Sequence, residues 1–414
     1  MNRFRRDWAA AATAAVVLGV SFYIVVRWRE YGALSDVSVY QERAASIRAG
    51  AVPYRDFAFE YPPAALPPML LPAYMSWSYA TSFAMVMGAC GAGCIAAAAS
   101  ALRAVGAGAE RTWIALLAIG VSPLLPGSLF ESHFDLWPAL LAVASLAAIV
   151  RGRPVVGGVL LGLGFAAKLW PVVLLPIALV HLWQRRGRPG ALVCLAAFVA
   201  VSAACFLPFA VLAPGGLRAM FADQLNRPLQ VESLGAAALM AAQHFGMRPL
   251  TTINSHGAQA LSGRGAGLAA DLSTVLEIVT VFAVWVVYAR RRTADGEAAL
   301  LTAAAAVAAL VAFDKVLSPQ YLVWLVPFVL LVGGLRGAAA GTFLFLALAL
   351  TSTWIYAANY WQLALGHAAP WSWYLLSRDL LLVAIAGVLL LDFSRARDSA
   401  GGRERWPAAR RAGA

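Results

Sequence analysis

Charge is what this chain has least of. Charged residues make up 13% of it and hydrophobic ones 61%, at a mean hydropathy of +0.73, which excludes the balance of a soluble globular protein. Lysine is almost missing: Lys168 and Lys315 stand against 30 arginines. The four cysteines, Cys90, Cys94, Cys194 and Cys205, all lie inside apolar runs, where a thiol behaves as a small apolar group. Cys90 and Cys94 share a helix face at i, i+4, yet without companion ligands they make no zinc site, and no disulfide framework is indicated. No carboxylate cluster suited to a divalent metal is visible, so neither a metal nor another cofactor is expected. No repeat relates the two halves of the chain, as it does in many transporters. A small-residue cleavage site is also lacking after the first apolar run, which follows Arg3 to Arg6 and ends in Arg27-Trp28-Arg29-Glu30. That run reads as a retained helix rather than a signal peptide.

What the chain does have is apolar helix. Runs near the roughly 20 residues that cross a hydrocarbon core fall at about 8–28, 79–102, 112–129, 134–150, 190–212, 266–289, 298–313, 320–335, 338–357 and 373–392. The stretch 154–184 is apolar but interrupted by Lys168 and Pro171, and reads as two short antiparallel helices. The expected fold is an all-α integral membrane protein with about 12 transmembrane helices, forming one domain over residues 1–393. Residues 394–414 form a basic tail rich in Arg, Gly and Ala, expected to be disordered and to lie on anionic lipid.

A net charge of +12 would suggest a nucleic-acid partner in a soluble protein. Here its distribution follows the positive-inside rule. With the N-terminus inside, Arg103, Arg111, Arg151, Arg153, Arg185, Arg186, Arg188, Arg290, Arg291, Arg292, Arg336 and the tail arginines all fall on the cytoplasmic side. The excess charge is topology; membrane lipid is an expected partner and nucleic acid is not. Both termini are then cytoplasmic in a plasma-membrane protein. The long segments at about 29–78 and 213–265, with a shorter one at 358–372, make the outer face the working surface.

Within the first outer segment Val37, Tyr40, Ala44, Ile47 and Ala51 recur at helical spacing while Glu42, Arg43 and Arg48 face elsewhere, the pattern of an amphipathic interfacial helix. Asp36 stands at its N-terminus, where the helix dipole and free N–H groups favour a carboxylate. A helix cap and a general base are both open roles for it. A second helix starts at Pro62-Pro63, where proline is well tolerated. Lys168 falls at the tip of the two short helices, recessed below the outer surface, and suits a phosphate; pairing with an acid or snorkelling are the alternatives. Lys315 follows Asp314, and an ion pair between them is expected. Glu131-Ser132-His133-Phe134-Asp135 precedes a span, and Asn226-Arg227-Pro228-Leu229-Gln230-Val231-Glu232-Ser233 gathers phosphate- and sugar-capable groups in an outer run. Arg378-Asp379, near the start of the last span, reads as a structural pair.

The order Asp36 with Tyr40, then Tyr61-Pro62-Pro63, Ser132-His133-Phe134-Asp135, Gly162-Leu163-Gly164 with Lys168 and Pro171, Gln230 to Ser233, and Ser318-Pro319-Gln320-Tyr321 resembles the multi-span C-type (GT-C) glycosyltransferases. Within them it is most similar to glycosyltransferase family 87, which includes polyprenol-phosphate-mannose-dependent α-1,2-mannosyltransferases and a related arabinofuranosyltransferase. The resemblance runs over about residues 8–392. Many members carry Gly-Gln-x-Asn where this chain has Ser132-His133-Phe134-Asp135, a departure that bears on sugar or acceptor choice. The resemblance implies that Asp36 deprotonates an acceptor hydroxyl, which attacks a sugar carried on a polyprenyl monophosphate with inversion. It implies Lys168 and Arg227 as donor phosphate ligands, and Tyr40, Tyr61, His133, Asp135, Gln230, Glu232, Gln320 and Tyr321 as the lining of the sugar and acceptor pocket. The expected partners are then a polyprenyl-phosphate-linked donor and a glycolipid or glycan acceptor. The competing classes are a transporter or flippase of lipid-linked saccharide, which needs midplane sites and alternating access, and a sugar-binding subunit without turnover.

Overall fold

The apolar runs become helices whose ends are set by punctuation in the sequence. The computed structural model describes residues 3–27, 35–247, 249–255, 257–291, 295–351 and 359–391. The basic tail at 394–414, Arg292, the start of the 29–78 and 358–372 segments and the end of the 338–357 run lie outside the described residues. In chain order, α1 (Arg3–Arg27) is followed by α2 (Val37–Arg48), α3 (Leu66–Leu70) and α4 (Tyr79–Ala104). Ser78 caps α4, its hydroxyl accepting the Thr81 N–H at 3.3 Å. Next come α5 (Ala109–Val121), α6 (Leu129–Ser132), α7 (Leu136–Val150), α8 (Pro154–Ala167), α9 (Leu175–Leu212), α10 (Pro214–Asn226) and α11 (Leu234–Gln243). Two strands, β1 (Thr251–Ser255) and β2 (Ala258–Ser262), precede α12 (Ala266–Ala289) and α13 (Gly296–Phe313). Asp295 caps α13 through the Ala298 N–H at 2.6 Å. The chain closes with α14 (Leu322–Val329), α15 (Gly334–Leu350), α16 (Tyr360–Ala364) and α17 (Ala369–Leu390).

Two expectations are corrected. The chain is mostly helical but not all-α: β1 and β2 pair antiparallel, Thr251 opposite Ser262 and Ser255 opposite Ala258, with Gly257 at φ 73° in the tight turn, a conformation that disfavours a Cβ. Among the described residues, six segments rather than about twelve are long and apolar enough to cross a bilayer on those grounds alone: Arg5–Arg27, Tyr79–Ala104, Trp170–Leu212, Ala266–Ala289, Gly296–Phe313 and Ala369–Leu390. Leu136–Val150, Pro154–Ala167, Pro319–Val329 and Gly334–Leu350 are apolar but shorter, since at about 1.5 Å per residue Gly and Pro stop them early. The long α9 is two helices joined at a corner, where Gly187 adopts φ 71° and Pro189 follows. The arginines 103, 111, 151, 153, 185, 186, 188, 290 and 336 all sit at helix ends or corners.

Packing follows the small residues. α13 is largely alanine and is buried nearly all round, so it forms the centre against which α12, α14 and α17 stack. α8 and α9 approach at Gly158 and Gly162, spaced i, i+4. A Cβ there would lie 2.3 Å from the Cys194 carbonyl oxygen and 2.7 Å from that of Phe198, so only glycine permits the approach. Cys90, Cys94 and Cys194 are buried free thiols, and Cys205 is a half-buried one. A second, smaller core gathers Leu229, Val231, Met240, Leu261, Tyr360, Leu363 and Leu375, joining α11, the hairpin, α16 and the start of α17 above the main bundle. In α2 the buried face is Val37, Tyr40 and Ala44 as the periodicity predicts, with Ile47 half-buried.

The α8–α9 contact yields a stability test. Gly158→Ala and Gly162→Ala each push a methyl into backbone and are expected to cost about 1–3 kcal/mol, read as a lowered Tm in detergent. Gly215→Ala, where a Cβ meets nothing within 4 Å, serves as the neutral control. Equal Tm values for all three would show that the two helices separate without penalty.

Candidate active site

A cavity of about 740 Å³ opens at the helix ends opposite most of those arginines. Its wall collects every residue expected above to act as base, phosphate ligand or pocket lining: Asp36, Tyr40, Tyr61, His133, Asp135, Lys168, Arg227, Gln230, Glu232, Gln320 and Tyr321. Residues almost 300 positions apart in the chain thus share one space.

Asp36 precedes the first residue of α2, and the Tyr40 N–H donates to its carbonyl at 3.0 Å. Its carboxylate does not cap the helix. Ser35 Oγ accepts the Val37 N–H at 3.4 Å, and Asp36 Oδ2 instead accepts the Tyr40 hydroxyl at 3.1 Å. The same oxygen lies 3.7 Å from His133 Nε2. Tyr40 is 1% exposed and is wedged among Tyr61, Phe83 and Phe134, with ring centroids 5.3–6.1 Å away. Burial first, and then the Asp36 charge, hold its phenol well above its ordinary value, so it stays a hydrogen donor to the carboxylate. Tyr61 is raised for the same two reasons.

His133 ends α6 in extended backbone and is buried. Ser132 donates its hydroxyl to the Ser128 carbonyl at 2.5 Å, so its oxygen can only accept from His133 Nδ1, 3.0 Å away. This network assigns the proton to Nδ1 and turns Nε2 toward Asp36.

Lys168 follows α8, and its ammonium pairs with Asp135 Oδ1 at 2.6 Å, the acid-paired alternative for this lysine. The same oxygen accepts Trp324 Nε1–H at 2.6 Å. The rings of Phe134, Tyr321 and Trp324 surround Lys168 Nζ at 4.9–5.1 Å, so cation–π attraction adds to the pair. Asp135, expected to meet substrate, is 1% exposed and committed to these two partners. Lys315 and Asp314 do not pair as expected: the amine donates to the Leu225 carbonyl at 3.2 Å and Asp314 accepts the Val316 N–H at 2.8 Å. Two neighbours on an extended turn point apart. Burial raises the Asp314 carboxyl above its ordinary range.

Gln230 joins Glu232 and Ser318, its Nε2 lying 2.7 Å from Glu232 Oε2 and 2.8 Å from Ser318 Oγ. Arg378 pairs with Asp379 at 2.7 Å, both fully buried, and also donates to the Glu232 carbonyl at 2.6 Å. Burial pushes the Glu232 carboxyl up to about 7, opposed by Gln230, Arg378 and Tyr360.

The profile of Glycosyltransferase family 87 matches residues 59–319. The chain belongs to that family. Membership makes it a glycosyltransferase of the polyprenyl-phosphate-sugar-dependent GT-C type, and its membrane-length helices make it a multi-pass membrane protein. The match is shorter than the 8–392 resemblance: Asp36 and Tyr40 precede it, and Gln320 and Tyr321 follow it. No curated protein sequence matches the chain.

The cavity of this family 87 glycosyltransferase also holds residues the sequence did not single out. Glu277 on α12, Trp324 and Tyr360 all line it. Glu277 had a signal, as a carboxylate in the middle of a mostly apolar run is costly unless it has a task.

Two expectations follow for the site. Lys168→Met leaves Asp135 buried without a counter-charge and is expected to destabilise by about 3–5 kcal/mol, with Lys168→Met/Asp135→Asn recovering most of the loss; thermal unfolding in detergent checks this. Equal losses in single and double variants would mean that the pair is not coupled. For Glu232, the folded value near 7 lies above the reference of 4.5, so the proton favours the fold. That stability is fully present below about 4.5 and disappears as pH rises through 7, a change of up to about 3 kcal/mol. Glu232→Gln is expected to flatten the fall in Tm between pH 5 and 8. An unchanged fall in the variant would assign the titration to another group.

Proposed function

We propose that the enzyme moves mannose from a polyprenyl monophosphate to a hydroxyl of an envelope glycolipid or glycan, with inversion, on the outer face of the plasma membrane. The observation that carries this reading is the Asp36 carboxylate. It is uncapped, oriented by Tyr40, 3.7 Å from His133 Nε2, and open to the cavity shared with Lys168 and Arg227. Asp36 takes the proton of the acceptor hydroxyl as that oxygen attacks the anomeric carbon. The bond from that carbon to the phosphate oxygen breaks on the opposite side, and polyprenyl phosphate leaves with the electron pair. His133 Nε2 then shares the proton gained by Asp36.

Lys168 supports charge on the departing phosphate. One of its three N–H bonds serves Asp135, and the others remain for a ligand oxygen. Arg227, at the end of α10, is the second cation of the cavity wall. The arginine-bearing helix ends face the cytoplasm in this reading, by the positive-inside rule, which puts both termini inside and the cavity outside.

The test uses purified protein in detergent with radiolabelled polyprenyl-phosphate-mannose or polyprenyl-phosphate-arabinose and an envelope-lipid acceptor extract. Transfer from the mannose donor, reduced about 10²- to 10⁴-fold in Asp36→Asn, is expected. Transfer from arabinose alone would reassign the sugar. Equal rates in wild type and variant would remove Asp36 as the base. A folded protein that transfers neither sugar to a competent acceptor would favour a transporter of lipid-linked saccharide.

A further inference from the structure

The cavity wall at residues 229–233 is pinned from both sides. Val231 N–H donates to the Gln259 carbonyl at 3.0 Å and Leu261 N–H to that of Leu229 at 2.7 Å, so this segment extends the hairpin. Gln230 N–H reaches the Lys315 carbonyl at 2.9 Å, and the Ser233 hydroxyl donates back to the Gln230 carbonyl at 2.8 Å. A side chain on such a backbone has a fixed station.

The Gln230 side chain is built to leave one atom over. It is 5% exposed, and a primary amide offers two N–H donors and one carbonyl acceptor. Nε2 spends both hydrogens, on Glu232 Oε2 at 2.7 Å and Ser318 Oγ at 2.8 Å. With Glu232 ionised, this orientation of the amide is fixed, since the flipped form would turn oxygen toward oxygen. Oε1 is then a buried acceptor with no hydrogen-bond partner among the described residues, on a residue that lines the cavity. Native structures rarely leave such an atom unsatisfied. Ser318 complements it: its oxygen already accepts from Gln230, so its own hydrogen is directed elsewhere.

We propose that Gln230 and Ser318 form a subsite for adjacent hydroxyls of a sugar ring, in which Gln230 Oε1 accepts one hydroxyl hydrogen and the Ser318 hydroxyl donates to the neighbouring sugar oxygen. Glu232 holds the amide in place, and Arg378 and Asp379 hold Glu232. The subsite rests on the transferase reading, which supplies two sources of such a diol, the donor sugar and the acceptor sugar. An acceptor atom and a donor atom on one rigid segment select a ring with two neighbouring free hydroxyls over one that lacks either.

Binding tests this without turnover. Two monodeoxy series are titrated by saturation-transfer NMR against detergent-solubilised wild type, Gln230→Met and Ser318→Ala: farnesyl-phosphate mannose for the donor and methyl α-mannopyranoside for the acceptor. In wild type, deletion of one hydroxyl is expected to weaken binding by about 5- to 150-fold. The same deletion is expected to cost nothing further in Gln230→Met, and deletion of its neighbour nothing further in Ser318→Ala. The series that shows this pattern names the source. If Gln230→Met does not fold, Ser318→Ala carries the test, because it keeps the contact between Gln230 and Glu232. Equal penalties in wild type and variants, or no saturable binding of either series, would overturn the subsite and leave Oε1 to a buried water. A protein that transfers sugar yet shows equal penalties loses the subsite alone. One that shows the pattern without transferring loses the catalytic reading alone.

Discussion

Lys168 leaves α8 in extended backbone, φ −158° and ψ 138°, and brings its ammonium against a carboxylate that begins α7 and an indole from α14. Asp135 on its own would be a buried charge costing several kcal/mol, and Lys168 on its own would be another. Joined at 2.6 Å and closed in by Phe134, Tyr321 and Trp324, they fix where α7, α8 and α14 end. Those ends are the floor of the cavity. The stacking of Trp170 on Trp324, and of Trp324 on Tyr321, with centroids 4.9 and 3.9 Å apart, continues the same plate. A lipid-embedded bundle gains little from driving apolar helices together, so a polar junction of this kind does much to set their register.

The charge balance of the cavity constrains how a phosphate enters it. Carboxylates from Asp36, Glu60, Asp135, Glu232, Glu277 and Asp314 outnumber the cations of Lys168 and Arg227 on the wall. Fully ionised, that set would repel the leaving group of the reaction it is meant to stabilise. Burial relieves the conflict. It raises Glu232 to about 7 and lifts Asp314 above its ordinary range, so the negative charge of the set is reduced as protons bind. Proton occupancy and phosphate affinity are therefore linked in this cavity, with more acidic conditions favouring the anion.

The helices were legible in the sequence because apolar length and Pro or Gly punctuation act locally. The place of Asp36 at the start of an amphipathic helix beyond an apolar run was legible too. The hairpin was not, since Thr251 to Ser262 shows no sustained alternation and draws its stability from pairing with Leu229 and Val231, a long-range event. The bond between Lys168 and Asp135 joins residues 33 positions apart, and nothing in either local motif says which acid the lysine meets. Glu277 was read as part of a span because it and Asp271 hardly alter the apolarity of 24 residues. The leftover acceptor on Gln230 is visible only once its amide hydrogens have been assigned in three dimensions.

The family match begins at residue 59, so the proposed base comes from a segment the match does not reach. Its position nonetheless depends on residues that the match does reach. Tyr40 orients Asp36 and is itself seated against Tyr61, Phe83 and Phe134, while His133 supplies the facing nitrogen. All four of those partners lie within 59–319. An aromatic seat worth about 0.5–1.5 kcal/mol per ring pair beyond simple burial holds α2 in one rotation, and one residue of slip would turn Asp36 about 100° around the helix, away from His133. The matched core therefore specifies the place of a carboxylate it does not itself contain, which ties the identity of residue 36 to the shape of the socket formed by residues 61, 83, 133 and 134.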